Sequence, residues 1–413
     1  MKSATRLIAL SLLAGSAWAQ TATRLATVPI TLDHNRIIVD VYFPGPEGSK
    51  TRVRGWVDNG NADLWLTDGL AKKLGLQPVD NTREPSRDKP HKVEAPRELL
   101  IGPMTIPLSD LKEATAAPGN RIGGGMSAEI NLPSTLLRNY DVVVDYPNRE
   151  LTIGAPGTVH LQGMAVKPLI NAQNGLIQIP GKIEGETHNL ALDLGATVSF
   201  ISSDLLSQWQ KAHPQWPHMT GAVGPANMWG IKDEASWEVL RVAQIQYGGL
   251  TLKDVVVAPF PRKELDWFEK RAGVPTIGLI GADALLNYRV ALDYAHSAVY
   301  FDELSKVPAI NMDVVGLVLH PEQDGRYTVL GVADYEGRPS VPDVKGGDVL
   351  VSVDGGRAKG ATMGQVWSLL EGSPGTVRTL VLERDGKQFT VRAPVDRFLA
   401  PEPKKGKVKA PTR

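Results

Sequence analysis

The sequence predicts a mainly β protein with two repeated, closed-barrel-like β lobes and a smaller third domain. Three observations carry this prediction. Short apolar runs alternate with turns, in keeping with 41 glycines and 30 prolines among 413 residues. A long segment recurs about 135 residues further along the chain. From about Val307 the pattern changes to strands around one helix, which indicates a separate unit.

The first lobe begins with the features of a hairpin. "VPITLDHNRIIVDVYF" contains two strand-like runs around "DHN", and "RVRGWV" follows as another strand. "TDGLAKKLG" then predicts a short helix, with Thr67 as its N-cap and Gly75 as its C-cap. The segment "REPSRDKPHKVEAPRELLIGPMTIPL" is more polar, and we expect it to project as a flexible hairpin.

The repeat is clearest around two aspartates. "GWVDNGNADLWLT" places Asp58 where an apolar strand meets a tight turn at Gly60, and "LALDLGATVSFIS" places Asp193 and Gly195 in the same setting. The offset is 135 residues throughout both blocks. Asp-x-Gly alone is common turn chemistry. Two copies at equivalent positions of a repeat indicate a shared function.

A second pair of blocks confirms the order of the repeat. "NYDVVVDYPNRELTI" matches "NYRVALDYAHSAVYF", with Tyr140 and Tyr288 separated by 148 residues. The second copy therefore holds an insertion, in "TGAVGPANMWGIKDEASWEVLRVAQIQYGGLTLKDVVVAPF", which we expect to form a long, projecting hairpin followed by strands around the "GG" turn. Asp145 and Asp293 are also equivalent, but their strand-to-turn context predicts a structural role.

Two equivalent lobes in one chain predict a pseudo-twofold arrangement that brings Asp58 and Asp193 together. Two carboxylates about 3 Å apart cannot both ionise, so they share a proton. One can then act as a general base on a water while the other acts as a general acid. Gly60 and Gly195 would allow backbone N–H groups to approach the carboxylates.

These residues resemble those of a known family. "VDNGN", "LDLGA" and "GLIGADALLNYRVALDY" are similar to the lobes of retropepsin-like and pepsin-like aspartic peptidases of bacteria. "GGDVLVSVDG", in the third domain, resembles the strand and turn of bacterial PDZ domains. The resemblance spans about residues 25 to 395. It implies an exported endopeptidase that cleaves peptides or proteins without a cofactor or metal, and a PDZ domain that binds peptide termini.

The sequence departs from this family beside each aspartate. The family has a threonine or serine there, whose hydroxyl holds the two turns together, whereas this chain has Asn59 and Leu194. Asn59 can still donate and accept hydrogen bonds, but the Leu194 side chain can do neither. A catalytically degenerate protein that binds peptides, or acts as an adaptor, is therefore the alternative function.

Three further residues have predicted ligand contacts. Trp229 lies in the insertion of the second lobe, where a flap could close over a substrate; a core or surface role is the alternative. Gly316 and Leu317 lie in "VVGLVL", the candidate carboxylate-binding loop of the third domain. That domain could instead pack against the lobes and only stabilise them.

The remaining features set the domain limits and the compartment. A basic start, a short apolar run and "AWA" predict a cleaved signal peptide, and hence export, to the periplasm or, as the alternative, out of the cell. Balanced charge, 45 basic against 45 acidic residues, gives no indication of nucleic-acid binding. The sequence predicts neither a transmembrane segment nor a metal site and leaves the oligomeric state open. The predicted boundaries are a signal peptide at 1–19, lobes at 20–158 and 159–306, a PDZ domain at 307–397 and a disordered basic tail at 398–413.

Overall fold

The computed structural model describes residues 24–79, 89–119, 121–122 and 125–399 of the chain. The predicted signal peptide and residues 400–413 of the predicted tail lie outside these ranges. The described part is mainly β and consists of two lobes and a third domain. None of its helices is long and apolar enough to cross a membrane.

The described residues of lobe 1, from Leu25 to Gly154, form eleven strands, two α-helices and a 3₁₀ turn at Pro46–Gly48. The strands are β1 (Leu25–Asp33), β2 (Arg36–Pro44), β3 (Lys50–Asp58), β4 (Trp65–Thr67), β5 (His91–Glu94), β6 (Glu98–Ile101), β7 (Met104–Pro107), β8 (Glu113–Ala117), β9 (Ile130–Pro133), β10 (Asp141–Asp145) and β11 (Glu150–Gly154). The helices are α1 (Asp68–Leu74) and α2 (Ser134–Leu137).

Lobe 2, from Met164 to Glu303, has the same number of strands and two longer helices. The strands are β12 (Met164–Val166), β13 (Leu169–Ile170), β14 (Ile177–Ile183), β15 (Glu186–Leu192), β16 (Ser199–Ser202), β17 (His218–Thr220), β18 (Glu238–Tyr247), β19 (Leu250–Phe260), β20 (Gly278–Ile280), β21 (Tyr288–Asp293) and β22 (Ala298–Glu303). The helices are α3 (Ser203–Ala212) and α4 (Arg262–Ala272), with 3₁₀ turns at Gly224–Ala226, Lys232–Ser236 and Ala282–Leu285.

The third domain, from Asp313 to Leu399, surrounds one helix, α5 (Met363–Leu370), with short strands. The strands are β23 (Asp313–Val314), β24 (Leu317–Pro321), β25 (Tyr327–Val332), β26 (Asp334–Tyr335), β27 (Arg338–Pro339), β28 (Val349–Val353), β29 (Gly356–Arg357), β30 (Val377–Arg384), β31 (Lys387–Pro394) and β32 (Asp396–Arg397). The main sheet has the order β24-β25-β28-β30-β31, so β24 is an edge strand. Phe398 and Leu399 are buried, so the packed unit extends two residues into the predicted tail.

The strands next to the two Asp-x-Gly turns are paired in the same way in both lobes. In lobe 1, β3 runs parallel to β9, β9 antiparallel to β4, and β4 parallel to β8. In lobe 2, β15 runs parallel to β20, β20 antiparallel to β16, and β16 parallel to β19. The repeat seen in the sequence is therefore also a repeat of strand topology.

One sheet continues from lobe 1 into lobe 2. Strand β10 pairs antiparallel with β21, and the register sets Val143 opposite Ala291. A single apolar cluster draws residues from both lobes, and a second joins lobe 2 to the third domain. Because burial of apolar surface is the main stabilising term in folding, the three units form one packed body.

Several local predictions are confirmed. Strands β1 and β2 form the predicted hairpin, with positive φ at His34 and Asn35 in its turn. The Thr67 hydroxyl accepts a hydrogen bond from the N–H of Leu70, and Gly75 ends α1 at a φ of 69°. A left-handed C-cap is the position that favours glycine.

The paired aspartates Asp145 and Asp293 have the structural role that their context predicts. Asp145 Oδ1 accepts from the N–H of Asn148 at 2.9 Å, and Asp293 Oδ1 accepts from the N–H of His296 at 3.0 Å. Each carboxylate thus closes the turn that follows its strand.

The predicted projecting hairpins are found only in part. In lobe 1, residues 83–88 of the segment lie outside the described residues, and β6 and β7 form a hairpin, but Leu99 and Ile106 on it are fully buried in the core. In lobe 2, β18 and β19 are the strands expected around the Gly-Gly turn, but the chain between β17 and β18 contains two 3₁₀ turns and irregular backbone. Backbone N–H groups there bond to the buried Glu234 carboxylate, which replaces the strand partner that a hairpin would provide.

Candidate active site

Asp58 and Asp193 occupy equivalent turns. Asp58 is the last residue of β3, and Asp193 directly follows β15. The N–H of Asn61 donates to the Asp58 carbonyl at 3.3 Å, and the N–H of Ala196 donates to the Asp193 carbonyl at 3.4 Å. Each turn therefore contains an equivalent backbone hydrogen bond, in addition to the common sequence pattern.

The turns meet face to face through their glycines. A Cβ atom built on Gly60 would lie 2.2 Å from Asp193 Cγ, so any side chain there would displace the carboxylate. A Cβ built on Gly195 would lie 2.8 Å from Asp58 Oδ1 and 3.1 Å from Asp193 Oδ1. One oxygen of each carboxylate therefore lies close to the same point on Gly195, and the two carboxylates belong to one site.

Asn59 joins the two turns with both atoms of its side-chain amide. Its Nδ2 donates to the carbonyl of Leu192 at 2.8 Å, and its Oδ1 accepts from the N–H of Leu194 at 2.7 Å. Asn59 and Leu194 are both fully buried. The Leu194 side chain therefore packs in the core while its backbone receives the bond from the opposite lobe. One asparagine holds this junction without any hydroxyl group.

Asn131 on β9 supports the Asp58 carboxylate. Its Nδ2 donates to Asp58 Oδ2 at 3.1 Å and to the carbonyl of Asp63 at 3.0 Å, and its Oδ1 accepts from the N–H of Trp65 at 2.7 Å. In the repeat, the position equivalent to Asn131 is Leu279. Only the lobe 1 aspartate therefore receives this support.

The two carboxylates differ in their affinity for a proton. Burial, followed by the nearby charge of Asp193, raises the pKa of Asp58 well above its usual range. Burial also raises the pKa of Asp193, to about 6, against hydrogen bonds from the N–H groups of Gly195 and Ala196. Burial of two neighbouring carboxyl groups thus favours one shared proton on the pair, and the pKa of Asp58 is the more strongly raised. Such a pair is suited to acid–base chemistry on a water.

A buried arginine lies behind the dyad. Arg36 is 2% exposed, and its guanidinium lies 6.0 Å from the centre of the Trp56 ring. Burial lowers the pKa of Arg36 to about 10, and the carboxylates of Asp33 and Glu234 oppose that change. Arg36 thus stays cationic at neutral pH, and its charge favours one negative charge on the dyad.

Both aspartates line a cavity of about 490 Å³ whose wall is largely apolar. Five tryptophans contribute to that wall: Trp56, Trp65, Trp229, Trp237 and Trp267. The predicted substrate contact Trp229 therefore does lie at this cleft, with 45% of its surface exposed. A larger groove of about 860 Å³ lies between lobe 1 and α5 and contains neither aspartate.

The predicted carboxylate loop of the third domain is closed at this position. Gly316 and Leu317 are both buried, and the N–H of Leu317 donates to the carbonyl of Val315 at 2.8 Å. A Cβ atom on Gly316 would lie 2.2 Å from Ser340 Oγ. The packing thus leaves no open amide at Leu317 for a terminal carboxylate.

Sequence reasoning missed Asn131 and Arg36. Each carries a weak signal: Asn131 is a single amide within the apolar run "INLP", and Arg36 directly follows a hairpin turn in "DHNRIIV". Among the residues that the structure describes, no group of three or more His, Asp or Glu side chains is arranged to hold a metal.

No family model and no curated protein matches the chain. Solved structures that resemble it include an aspartic proteinase from Irpex lacteus, at 14% identity and a TM-score of 0.37, covering 68% of this chain and 98% of that one. Basic 7S globulin from soybean has 11% identity and a TM-score of 0.39, covering 68% and 96%. Conglutin gamma, a basic 7S globulin from lupine seeds, has 12% identity and a TM-score of 0.39, covering 68% and 95%. At TM-scores below 0.5, these similarities do not assign the chain to a family.

Proposed function

We propose that this protein is an aspartic endopeptidase that hydrolyses peptide bonds with a water activated by Asp58 and Asp193. The observation that supports this function most directly is the convergence of the two carboxylates, from equivalent turns, at one cleft. Both pKa values are raised, that of Asp58 more strongly, so the pair supplies one acid and one base. The largely apolar wall of the cleft suits a peptide with large apolar side chains.

In the proposed reaction, the Asp193 carboxylate takes a proton from the water as the water oxygen attacks the carbonyl carbon of the scissile bond. Asp58 donates its proton to the carbonyl oxygen, and this gives a neutral tetrahedral intermediate with two hydroxyl groups. Positioning by the buried Asn59 bridge keeps both carboxylates on the same water.

Collapse of the intermediate reverses the protonation states. Asp193 gives the proton it acquired to the departing amide nitrogen, and the carbon–nitrogen bond breaks. Asp58 recovers a proton from one of the two hydroxyl groups, which leaves a carboxylic acid product. The dyad then returns to its starting state, with the proton on Asp58.

We also propose a pseudo-twofold relation between the lobes. Its support is the register of β10 on β21, in which the equivalent residues Val143 and Ala291 lie directly opposite each other. A twofold axis between two antiparallel strands places one pair of equivalent residues directly opposite each other. The same axis would carry the Asp58 turn onto the Asp193 turn.

We further propose that the third domain is PDZ-like and that residues 1–19 direct export, with the periplasm as the destination. The support for the first is a sheet flanked by the single described helix of this unit, together with the resemblance of "GGDVLVSVDG". A peptide partner would add as a strand at a sheet edge. The support for export lies in the sequence alone.

The test is incubation of protein lacking residues 1–19 with a peptide library from about pH 3 to about pH 8. We expect cleavage next to large apolar residues and its loss, by at least about a thousandfold in kcat, in Asp58→Ala and Asp193→Asn. Cleavage that survives Asp58→Ala, or no cleavage at any pH, would contradict the proposal.

A non-cleaving peptide-binding protein is the second candidate function. The observation that favours it is Leu194, because its side chain cannot supply the hydroxyl bond that the resemblance predicts between the turns. In that case Asp193→Asn would leave the affinity for peptides unchanged, and the wild-type protein would bind them without producing fragments.

A further inference from the structure

The wall of the cleft above the dyad is formed partly by an irregular segment, residues 221–237, here called the cleft loop. Met228, Trp229, Ile231 and Trp237 of this loop line the same cavity as the two aspartates. The loop contains two 3₁₀ turns and no strand. Since it has no sheet partner, other groups must fix its position.

The Glu234 carboxylate organises the cleft loop from inside. It accepts hydrogen bonds from the N–H of Trp229 at 2.7 Å, from Asn227 Nδ2 at 2.7 Å and from the N–H of Ile231 at 3.1 Å. Glu234 is 0% exposed. A buried carboxylate with several donors fixes the backbone around it, because losing a partner leaves a charge or an N–H unsatisfied.

Asn227 connects the cleft loop to the third domain. Its Nδ2 donates to the carbonyl of Leu319 at 3.1 Å, and its Oδ1 accepts from the N–H of Leu319 at 2.9 Å. Leu319 lies on the edge strand β24. A strand added to that edge would bond to one residue's N–H and carbonyl in the same way, so Asn227 occupies the place of an added strand.

Neighbouring contacts close the same junction. His320 Nδ1 lies 2.6 Å from the carbonyl oxygen of Gly230, and a Cβ atom on Gly230 would lie 2.5 Å from Pro321 Cδ. From lobe 1, His34 Nε2 lies 3.0 Å from the carbonyl oxygen of Asn227, and Arg36 donates to the carbonyl of Met228. The backbone of the cleft loop is thus held between lobe 1 and β24.

We propose that the third domain positions the cleft loop for catalysis, with Asn227 and Glu234 as positioning residues that act through Met228, Trp229 and Ile231. This inference rests on the proposed peptidase function and extends it. The edge of β24 does not line the cleft itself but holds the loop that does. The third domain is therefore more than a separate module for peptide capture. The apolar cluster shared by the cleft loop and the third domain supports the same conclusion.

The test compares Asn227→Ala with Asn287→Ala in the full chain. Asn287 is a matched control because its Nδ2 donates to the carbonyl of Val307 at 2.9 Å and its Oδ1 accepts from the N–H of Val307 at 2.8 Å. It thus makes the same pair of bonds, and it is not among the residues that line the cleft. Steady-state cleavage of one peptide, with thermal unfolding of each variant, gives the comparison.

We expect Asn227→Ala to raise KM about tenfold, because the cleft wall loses its position, while Asn287→Ala stays within about twofold of wild type. Since KM does not depend on the fraction of folded enzyme, a loss of stability alone would not reproduce this difference. Glu234→Gln, which keeps one acceptor oxygen, should give a smaller rise. An unchanged KM in Asn227→Ala would overturn the inference.

A failure of the peptidase proposal can be separated from a failure of this inference. If wild-type protein cleaves nothing, the affinity for a labelled peptide with a hydroxyethylene group in place of the scissile amide is measured by fluorescence anisotropy. Weaker binding in Asn227→Ala than in Asn287→Ala would still support the positioning role. Equal binding in all three proteins would contradict that role.

Discussion

The turn that ends β3 and the turn that follows β15 share their strand pairing but hold their aspartates differently. Asp193 receives the backbone N–H of Gly195 at 2.8 Å, whereas Asp58 receives the side chain of Asn131 at 3.1 Å. Both kinds of donor stabilise an ionised carboxylate, but the N–H groups of Ala196 and Gly60 also oppose the rise in the pKa of Asp193. The negative charge is therefore favoured in lobe 2. Equivalent topology thus supports two different chemical roles.

We expect the largest effect from a substitution that breaks the Asn59 bridge between the two turns. Asn59→Ala removes both arms of that bridge, at Leu192 and Leu194, and leaves their backbone groups without partners. We expect the free energy of unfolding to fall by about 2 kcal/mol. We expect kcat to fall about a hundredfold, because the carboxylates lose their alignment. Chemical denaturation and steady-state kinetics measure the two effects.

Asn35→Ala is the matched control for the bridge, since Asn35 Nδ2 also donates across the lobes, to the carbonyl of Thr197 at 3.2 Å. Its kcat should stay within about twofold of wild type. The double variant Asn59→Thr with Leu194→Thr restores the hydroxyl pattern and should recover part of the rate. Equal losses in Asn35→Ala and Asn59→Ala would show that any contact between the lobes has the same effect.

A smaller effect should follow from making the two turns alike. Asn131→Leu introduces the residue found at the equivalent position, Leu279, and removes the donor to Asp58. We expect kcat to fall about tenfold and the pKa of Asp58 to rise further, which moves the alkaline limb of the pH–rate profile to higher pH.

Asn148→Leu is the control for this change, because Asn148 Nδ2 donates to Asp145 Oδ2 at 2.9 Å away from the dyad. The pH–rate profile of that variant should match wild type. If Asn131→Leu also leaves the profile unchanged, Asn131 is a structural residue and the difference between the turns lies elsewhere.

The third effect concerns stability and not rate. The pKa of Asp193 is raised to about 6 in the folded protein, so the folded state holds this proton more tightly than the unfolded chain. Stability from this group is therefore present at low pH and is lost as pH rises from about 4 to about 6. Asp193→Asn removes the charge and should stabilise the protein by about 1–3 kcal/mol at pH 7, with no gain below about pH 4.

Asp145→Asn should behave in the opposite way. Burial acts to raise the pKa of Asp145, but hydrogen bonds from Asn148 and Arg289 outweigh it, so that pKa is lowered. The substitution should therefore destabilise the protein at neutral pH. Thermal unfolding at pH 7 and below about pH 4 measures the stability of both variants. A loss of stability at pH 7 in Asp193→Asn would mean that Asp193 is held as a structural anion.

The sequence predicts the parts of this fold that local patterns encode. Asp58 and Asp193 could be paired from two Asp-x-Gly blocks at one offset, and the caps of α1 follow from Thr67 and Gly75. These features need only neighbouring residues or an internal comparison. The repeat predicts the convergence of the aspartates, because the pseudo-twofold relation proposed above would bring equivalent turns together.

The supporting contacts could not be predicted because they join distant parts of the chain. Asn131 reaches Asp58 across 73 positions, and Asn227 reaches Leu319 across 92. The sequence identifies Asn59 as a departure from the family that it resembles. It does not reveal that Asn59 Oδ1 accepts from the backbone N–H of Leu194, a bond that does not depend on the Leu194 side chain. The cleft loop is fixed without a strand, by the bonds of Asn227 to the distant Leu319 and by the bonds of Glu234 to donors within the loop.

The central claim is that Asp58 and Asp193 share one proton in a single site between the lobes. The most direct test is the pH dependence of kcat/KM for a peptide that the wild-type protein cleaves. We predict a bell-shaped dependence of kcat/KM on pH. Its acid limb lies near pH 6, where Asp193 ionises, and its alkaline limb lies at higher pH, where Asp58 loses its proton. A profile without an acid limb, or one that Asp58→Asn leaves unchanged, would contradict the claim.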